Sequence, residues 1–448
     1  MTTVWKCCAM GRLSIGGAVA IGVAIAAGEV SSALSRAQAP SGTPVAVVGA
    51  RVIDGTGRAP LENATILVVN GRIQEVGQGV KIPSTAVRVD AQGKSVIPGL
   101  INAHGHVDAA RESTVPVREQ LLAQLRTYAL YGVTTAYSLG STAADTPEGL
   151  KLRDEQEQTT LDRARLYSSG VVIADSNPDE ARRNVDQHAN QKVDIIKIRV
   201  DGLDSNPTKM TPDVYRAVID QAHKRGLRVA AHLFYQKDAM GLLEAGADVV
   251  AHSVRDRDVT PALIAQLKAR GVGYIPTLTR DLSVFVYEST PSFFGDPFFQ
   301  RGTTLYGRQV AQLSDPAMQE KVRANKDAQA IKVALQQASR NLKRLADGGV
   351  AIAMGTDTGA NLIGRWQGFF EHEELDLMVK AGLTPMQTLV AATGGAARVM
   401  KLDAQLGTLQ PGKWADFVVL NADPLSDIRH TRQIHSVWIG GQRVPGVQ

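Results

Sequence analysis

Two histidines, His104 and His106, stand one residue apart at the end of the apolar run SVIPGLINA. If this run is a β-strand, residues i and i+2 point to the same face, so both imidazoles converge at the carboxyl end of the strand. Imidazole is the commonest side-chain ligand of metal ions and also transfers protons near neutral pH. The pair fits two ordinary loop histidines equally well, so the rest of the chain has to decide.

Other residues that bind metals or transfer protons lie at equivalent positions of four further apolar runs. VDIIKIRV carries Lys197, LRVAAHLF carries His232, ADVVAHSV carries His252, and GVAIAMGTD ends on Asp357. Each residue alone has an ordinary explanation, such as a satisfied core histidine or a salt-bridged lysine. Their occurrence together at the ends of five runs indicates one shared site that binds a metal or transfers protons.

The elements that must position these residues follow from the pattern of the chain between residues 97 and 400. Eight short apolar runs alternate there with helical stretches such as TPDVYRAVIDQAHKRG, which has a helix start signal and a glycine stop. This alternation predicts β-α units and a parallel sheet. Eight such units predict an α/β fold of the (β/α)8 TIM barrel type, in which catalytic groups lie at the carboxyl ends of the strands.

The two ends of the chain have a different pattern, made of short β-runs broken by turn dipeptides. Asp54-Gly55 and Asn70-Gly71 interrupt residues 40–96, and Gly440-Gly441 interrupts residues 401–448. Such dipeptides favour tight hairpins. Because the termini of a domain tend to lie close together, we expect both pieces to form one small β-sandwich domain.

Residues 1–39 resemble a secretory signal peptide. Lys6 and Arg12 precede the run LSIGGAVAIGVAIAAG, and Ala37 and Ala39 form an A-x-A arrangement before a cut near residue 39. An uncleaved anchor helix is the alternative. Removal of the peptide predicts a secreted or periplasmic protein with no stable membrane insertion. The only cysteines lie at positions 7 and 8, so the mature chain has neither disulfides nor a thiolate for catalysis.

Composition is that of a globular protein. The 448 residues are 44% hydrophobic and 21% charged, and the net charge is +5. Basic and acidic residues interleave and form no basic runs, so nucleic-acid binding is not expected. We therefore look for a small-molecule substrate.

The motifs GLINAHGH, IIKI, AAHLF, VAHS and GTDTG, taken as a set, resemble those of the amidohydrolase superfamily, in its imidazolonepropionase-like and prolidase-like branch. The resemblance covers nearly all of the predicted mature chain, including the split β-sandwich. It implies two divalent metal ions, usually Zn²⁺, bridged by a CO2-derived carbamate on Lys197. It also implies that His104, His106 and Asp357 hold the more buried ion and that His232 and His252 hold the other.

The implied chemistry is hydrolysis. Two cations roughly 3.5–4 Å apart lower the pKa of a shared water and supply a bridging hydroxide as nucleophile. Asp357 can take its proton and return it to the leaving group. Tyr235 stands three residues after His232, a spacing also found in the prolidase-like branch, where the hydroxyl can contact the substrate carbonyl or carboxylate. A tyrosine packed in the loop is the alternative.

Other residues near the expected barrel mouth are candidates for substrate contacts. Arg199 and Asp201 share the parity of Lys197, and in IRVDG they stand where dipeptidases of this branch have small residues. Arg199 could clamp a substrate carboxylate or pair with Asp201. Arg365 and Trp366 could also line the mouth.

Two further stretches invite a functional interpretation. The aromatic segment 285–306 could form a lid over the site or a subunit interface. HEELD, which begins at His372, lacks the second histidine of the H-E-x-x-H metalloprotease motif. We expect His372 to be a helix residue, either an ordinary one or one that supports a metal ligand from behind.

We expect a metal-dependent amidohydrolase that cleaves an amide C–N bond by attack of a metal-bridging hydroxide. The expected substrate is an N-acyl amino acid, a dipeptide-like amide or an aromatic amide. Three alternatives stay open: an esterase, lactonase or phosphotriesterase on the same two-metal site, a one-metal deaminase, and a non-catalytic structural paralogue. Homo-oligomers are common among such enzymes.

Overall fold

A computed structural model describes residues 42–110, 113–201, 209–359 and 363–447, without the side chains of residues 303–305. The predicted signal peptide lies outside these ranges and stays a prediction. Within them, no helix is both long and apolar enough to cross a bilayer.

The described strands and helices alternate through the middle of the chain, while its two ends are built from strands. The strands are β1 (Val45–Val52), β2 (Leu61–Val69), β3 (Arg72–Gly77), β4 (Val87–Asp90), β5 (Ser95–Pro98), β6 (Leu100–Gly105), β7 (Val133–Ser138), β8 (Arg165–Ser168), β9 (Ile196–Arg199), β10 (Val229–His232), β11 (Val249–Ala251), β12 (Gly273–Ile275), β13 (Phe417–Leu420), β14 (Ile434–Ile439) and β15 (Gln442–Arg443). The α-helices are α1 (Val117–Leu130), α2 (Thr146–Asp154), α3 (Pro178–Gln191), α4 (Pro212–Lys224), α5 (Gln236–Ala245), α6 (Pro261–Arg270), α7 (Leu278–Phe285), α8 (Pro297–Gln300), α9 (Thr303–Leu313), α10 (Pro316–Ala324), α11 (Lys326–Asp347), α12 (Phe369–Lys380), α13 (Pro385–Ala391) and α14 (Gly394–Met400). Short 3-10 helices cover Val286–Glu288, Ser292–Gly295 and Ile428–Arg432.

One sheet joins strands from both chain ends. Its order is β15-β14-β13-β5-β1-β2-β3, and β4 pairs with β1. The antiparallel pairing of β5 with β13 places Val96 opposite Val419. Asn70 and Gly71, between β2 and β3, both have positive φ (50° and 74°), as a tight type I′ hairpin turn requires. The sheet thus brings the two end segments together, while the domain boundaries stay predictions.

Parallel strands form the middle of the chain. One sheet has the order β6-β7-β8 and the other β12-β11-β10-β9, and every pair in them is parallel. Seven of the eight predicted runs contain one of these strands. The fold is therefore mixed α/β, and the named strands do not by themselves form a closed barrel.

The eighth predicted run, residues 349–357, differs from the prediction because it contains no regular strand. Its backbone is nevertheless bonded on both sides: Tyr274 N donates to Ala351 O at 2.9 Å, and Ala103 N donates to Met354 O at 2.9 Å. Gly355 then passes so close to β6 that a Cβ there would lie 2.9 Å from the backbone nitrogen of His104. This close approach and the positive φ of Asp357 (57°) interrupt the ladder.

The aromatic segment 285–306 packs inward. Phe285, Tyr287, Phe298, Phe299 and Tyr306 are buried, and the rings of Phe293 and Phe294 pack on this core. The segment therefore belongs to the core of the chain, a role that the sequence analysis did not consider.

Trp366 lies at the centre of these rings, so it does not line the barrel mouth as predicted. Its side chain has 0% exposure, and its Nε1 donates a hydrogen bond of 2.7 Å to the Tyr287 hydroxyl. The Tyr287 hydroxyl in turn donates to Gly364 O at 2.6 Å. Trp366 thus fixes the loop after Asp357 from inside, and it offers no surface to a substrate.

We expect Trp366→Ala to lower the free energy of unfolding by about 3–5 kcal/mol, because it removes a large buried ring and leaves a cavity. Urea unfolding followed by circular dichroism measures the change. Val333→Ala on α11, where the side chain is 65% exposed, is the matched control and should change stability by less than about 0.5 kcal/mol. Equal stabilities of the two variants would contradict the packing role of Trp366.

Candidate metal centre

The predicted site residues lie at the carboxyl ends of parallel strands. His104 is in β6 and His106 follows it, while Lys197 is in β9 and His232 ends β10. His252 follows β11, and Asp357 is the last residue of the eighth run. Parallel strands bring these ends to one edge, which is why residues far apart in the sequence can meet there.

Asp357 is the common partner of the first histidine pair. Its Oδ1 lies 3.1 Å from His104 Nε2 and 2.8 Å from His106 Nε2. His106 Nδ1 is hydrogen-bonded to Gly140 O at 2.8 Å, which leaves Nε2 to face the carboxylate. Lys197 Nζ lies 3.3 Å from the same His104 Nε2.

The other two histidines complete the cluster. The ring centroids of His104 and His252 are 4.5 Å apart, and those of His232 and His252 are 4.3 Å apart. Ligand atoms of His104, His252 and Asp357 all lie within 4.8 Å of one another, a grouping that could hold a metal ion. The resemblance implied two ion sites, and these three residues come from both of them. The structure thus gathers all six predicted ligands into one cluster.

Three residues at the cluster have strained backbone conformations. His252, Thr277 and Asp357 have φ values of 79°, 49° and 57°, which non-glycine residues seldom adopt. Thr277 Oγ1 lies 2.8 Å from His252 Nδ1, so Nε2 is the ring nitrogen left for a ligand. Strained residues of this kind cluster at functional sites.

Burial sets the protonation of the histidines. It lowers the pKa of His104 to about 3 and that of His232 to about 4. The pKa of His252 also falls well below its usual value because of burial and the neighbouring His232 and His104. Burial alone would lower the pKa of His106, but the hydrogen bond to Asp357 and the negative charges of Asp357 and Asp108 together outweigh burial and raise it. Three of the four imidazoles are therefore neutral at neutral pH, which is the form that binds metals.

The pKa values of Asp357 and Lys197 are shifted as well. Burial alone would raise the pKa of Asp357, but Arg365 and the histidines hold it well below its usual value. Burial lowers the pKa of Lys197 to about 7, so a large fraction of its amine is uncharged near neutral pH. Neutral imidazoles with an ionised carboxylate suit Zn²⁺ and similar divalent ions. The residues present therefore fit a divalent metal centre.

The predicted substrate contacts have varied environments. Arg199 Nε donates to the backbone oxygen of Asp201 at 3.3 Å, while the Asp201 carboxylate lies 3.1 Å from His232 Nε2. Arg365 Nη1 contacts the Asp357 carboxylate and donates to its carbonyl oxygen at 3.1 Å. Tyr235 is half-buried before α5, with Lys209 Nζ 5.0 Å from its ring centroid. Arg199 therefore bonds the backbone of Asp201 and not its carboxylate.

Arg280 is a charged neighbour that the sequence analysis missed. Its Nε lies 3.6 Å from Asp357 Oδ2, and its Nη1 donates to Asp281 Oδ1 at 2.7 Å. It stands in the first turn of α7, outside the strand-end positions that guided the prediction. An arginine followed by an aspartate just after a predicted strand was the signal available.

The sequence profile of the amidohydrolase family matches residues 95–444. An uncharacterised protein of Mycobacterium tuberculosis is 27% identical over 223 residues, which are 47% of this chain and 56% of that protein. This match spans little more than half of that relative. An imidazolonepropionase of Streptomyces avermitilis is 24% identical over 402 residues, 87% of this chain and 89% of the relative.

Two solved structures have folds similar to that of this chain. A protein of Bifidobacterium longum, classed provisionally as a prolidase, has a TM-score of 0.73 and 27% identity over 91% of this chain and 96% of its own. A Xaa-Pro dipeptidase with bound methionine has a TM-score of 0.67 and 20% identity over 89% of this chain and 99% of its own.

The chain belongs to the amidohydrolase family, whose members are hydrolases that act on C–N bonds. The resemblance to imidazolonepropionase-like and prolidase-like amidohydrolases is confirmed.

Proposed function

We propose that this protein is a metal-dependent amidohydrolase that cleaves the amide C–N bond of an N-acyl amino acid, a dipeptide-like amide or an aromatic amide. The observation that carries the proposal is the position of Asp357 Oδ1, 3.1 Å from His104 Nε2 and 2.8 Å from His106 Nε2 beside buried Lys197 and His252. The family match to residues 95–444 supports the class of reaction.

The proposal includes a (β/α)8 barrel as the scaffold. Isolated parallel bridges support it, because they pair Ile173 with Ile198, Tyr274 with Ile352, and Gly105 with Thr358. These contacts connect the two parallel sheets to each other, β12 to the eighth run, and β6 to the residue that follows this run.

In the proposed centre, His104, His106 and Asp357 would hold one divalent ion, and His232 and His252 would hold the other. Lys197 would contribute to both as a carbamate, because an unmodified ammonium beside two cations would be strongly disfavoured. Its 3% exposure and its 3.3 Å distance from His104 Nε2 support this role. When bound, the two ions, preferably Zn²⁺, would polarise the substrate carbonyl and make hydroxide available near neutral pH.

The protein's own side chains transfer the proton and contact the substrate. Asp357 accepts the proton of the nucleophile and delivers it to the leaving nitrogen. Arg365 and Arg280 keep this carboxylate ionised, since both are cations that face it. Arg199 and Arg365 remain the proposed contacts for a substrate carboxylate, and the Tyr235 hydroxyl is the proposed donor to the carbonyl oxygen.

We expect Tyr235→Phe to lower kcat/KM by on the order of 10²-fold, because a donor to the developing oxyanion is removed. Steady-state kinetics on the best amide substrate measures the change. Tyr215→Phe on α4, outside the cluster, is the matched control. An unchanged kcat/KM for Tyr235→Phe would assign Tyr235 to loop packing.

The test of the proposed function is a substrate screen combined with metal analysis of the purified protein. N-acyl amino acids and dipeptides should be hydrolysed faster than lactones, esters or phosphotriesters. Faster turnover of lactones, esters or phosphotriesters would overturn the amide assignment. One ion per chain without a carbamate would indicate a deaminase. A metal-free protein without turnover would indicate a non-catalytic paralogue.

We also propose that the protein is secreted or periplasmic. A second proposal is that it assembles into a homo-oligomer. Size-exclusion chromatography with light scattering of the purified protein measures the second.

A further inference from the structure

Helix α12 carries two acidic residues, Glu371 and Glu374, on a face that points into the protein. Both have 0% exposure, and they share this face with Leu375 and Met378, which are also fully buried. They belong to the stretch FFEHEELD, of which only HEELD and its His372 were considered from the sequence. Carboxylates on an apolar helix face are costly unless donors surround them.

Glu371 is bonded to both segments that carry the first group of proposed ligands. Its Oε1 accepts hydrogen bonds from Asn102 Nδ2 at 2.6 Å, Thr356 Oγ1 at 2.8 Å and Thr358 Oγ1 at 3.0 Å. Its Oε2 accepts from Gly368 N at 2.6 Å. The two threonines flank Asp357 in the sequence. One carboxylate therefore fixes both neighbours of the proposed proton-transferring residue.

Asn102 extends this network to the histidine strand. Its Oδ1 accepts a hydrogen bond of 3.0 Å from His104 N, while its amide donates to Glu371 and, at 2.9 Å, to Thr356 Oγ1. The strand that presents His104 and the loop that presents Asp357 are thus held to each other through Glu371.

Glu374, one turn later, is bonded to a different segment. It accepts from Leu278 N at 2.8 Å, Thr279 N at 2.7 Å and Thr279 Oγ1 at 2.7 Å. These groups form the start of α7. The preceding residue, Thr277, contacts His252 Nδ1 at 2.8 Å, and the following residue, Arg280, lies 3.6 Å from Asp357. Glu374 therefore fixes the segment that orients the His252 ring.

We propose that Glu371 and Glu374 are positioning residues that align the two parts of the metal centre, Glu371 through Asn102, Thr356 and Thr358, and Glu374 through Thr277. This inference rests on the proposed function, since it assumes that the cluster holds metal. Replacement of a buried carboxylate by an amide removes an acceptor oxygen and places donors against donors. Replacement of residues that orient metal ligands through hydrogen bonds typically lowers metal affinity or activity by about 10–100-fold.

Neighbouring Glu373 supplies a matched control on the same helix. Its Oε1 accepts a hydrogen bond of 2.7 Å from Arg432 Nη2, away from the cluster. Glu373→Gln makes the same chemical change two residues from Glu371 and one residue from Glu374, so it tests a general effect of the substitution on α12.

The experiment measures Zn²⁺ affinity by competition with a chromogenic chelator on the full folded chain, together with zinc content and urea unfolding. We expect Glu371→Gln and Glu374→Gln to weaken zinc binding by about 10–100-fold, with wild-type affinity for Glu373→Gln. If a glutamine variant does not fold, Thr358→Val and Thr279→Val remove one donor each and should weaken zinc binding in the same direction by a smaller factor. Zinc affinity of the folded protein separates positioning from a purely stabilising role.

Two failures are distinguishable. Wild-type protein that binds no zinc, nor any other divalent ion, would overturn the proposed function and this inference together. Wild-type protein that binds two ions, with folded Glu371→Gln and Glu374→Gln variants of equal affinity, would overturn the inference alone.

Discussion

Replacement of Lys197 by alanine is expected to remove one of two bound ions and to lower turnover by on the order of 10³-fold or more. Lewis-acid stabilisation by a metal contributes several kcal/mol, and each 1.4 kcal/mol is about tenfold in rate. Lys197 is 3% exposed and its Nζ lies 3.3 Å from His104 Nε2, so no solvent-borne group easily takes its place. Zinc content and kcat of the purified variant are the measurements.

Two controls sharpen this prediction. Lys224→Ala removes an exposed lysine that pairs with Asp220 at 2.7 Å on α4, and it should keep both ions and full turnover. The carbamate also predicts that metal-stripped wild-type enzyme to which Zn²⁺ is restored regains activity faster when bicarbonate is added as well. Retention of both ions and of turnover by Lys197→Ala would remove the carbamate bridge from the proposal.

Replacement of Asp357 by asparagine is expected to lower kcat by about 10²–10⁴-fold, the range for a lost general acid–base group. An amide cannot accept the proton of the nucleophile or return it to the leaving nitrogen. KM should change much less than kcat, because this proton transfer takes place in the transition state. The kinetics must be measured at saturating Zn²⁺, so that a loss of metal affinity does not contribute.

Asp347→Asn is the control for the Asp357 variant. Asp347 is 57% exposed and pairs with Lys343 on α11, so its replacement should leave kcat unchanged. A folded, metal-loaded Asp357→Asn variant with wild-type kcat would assign the proton transfer to another residue.

The sequence predicted the cluster itself because strand periodicity and strand ends are local properties. His104 and His106 share a face through the two-residue repeat, and parallel strands bring their carboxyl ends to one edge whatever the loops do. The same reasoning identified the positions of Lys197, His232 and His252 without knowledge of any long-range contact.

What the sequence did not predict depends on packing between distant elements. Glu371 meets Asn102 across 269 residues, and Glu374 meets Leu278 across 96 residues. Such contacts are set by how α12 packs against the strand ends, which no local pattern encodes. Two carboxylates on the apolar face of one helix were the available clue. The eighth run was similarly altered by the close approach of Gly355 to His104.

Trp366 shows a second limit of prediction from the sequence, because a residue predicted to line the site is buried in the core. Position alone, eight to nine residues after the last ligand, suggested a lining role for Arg365 and Trp366. The structure separates them: Arg365 contacts Asp357, while Trp366 packs among the rings of the segment 285–306. Adjacent residues of a loop point to different surroundings, so spacing from a ligand cannot decide which of them meets a substrate.

The central claim is that side chains from the ends of four strands and of the eighth run form one centre for two divalent ions. Quantitative metal analysis of the purified protein, before and after treatment with a chelator and paired with hydrolysis of an N-acyl amino acid or dipeptide found by the screen, tests it most directly. We predict about two ions per chain, loss of hydrolysis when they are removed, and recovery when Zn²⁺ is restored. Hydrolysis that continues at full rate in protein stripped of metal would contradict the claim.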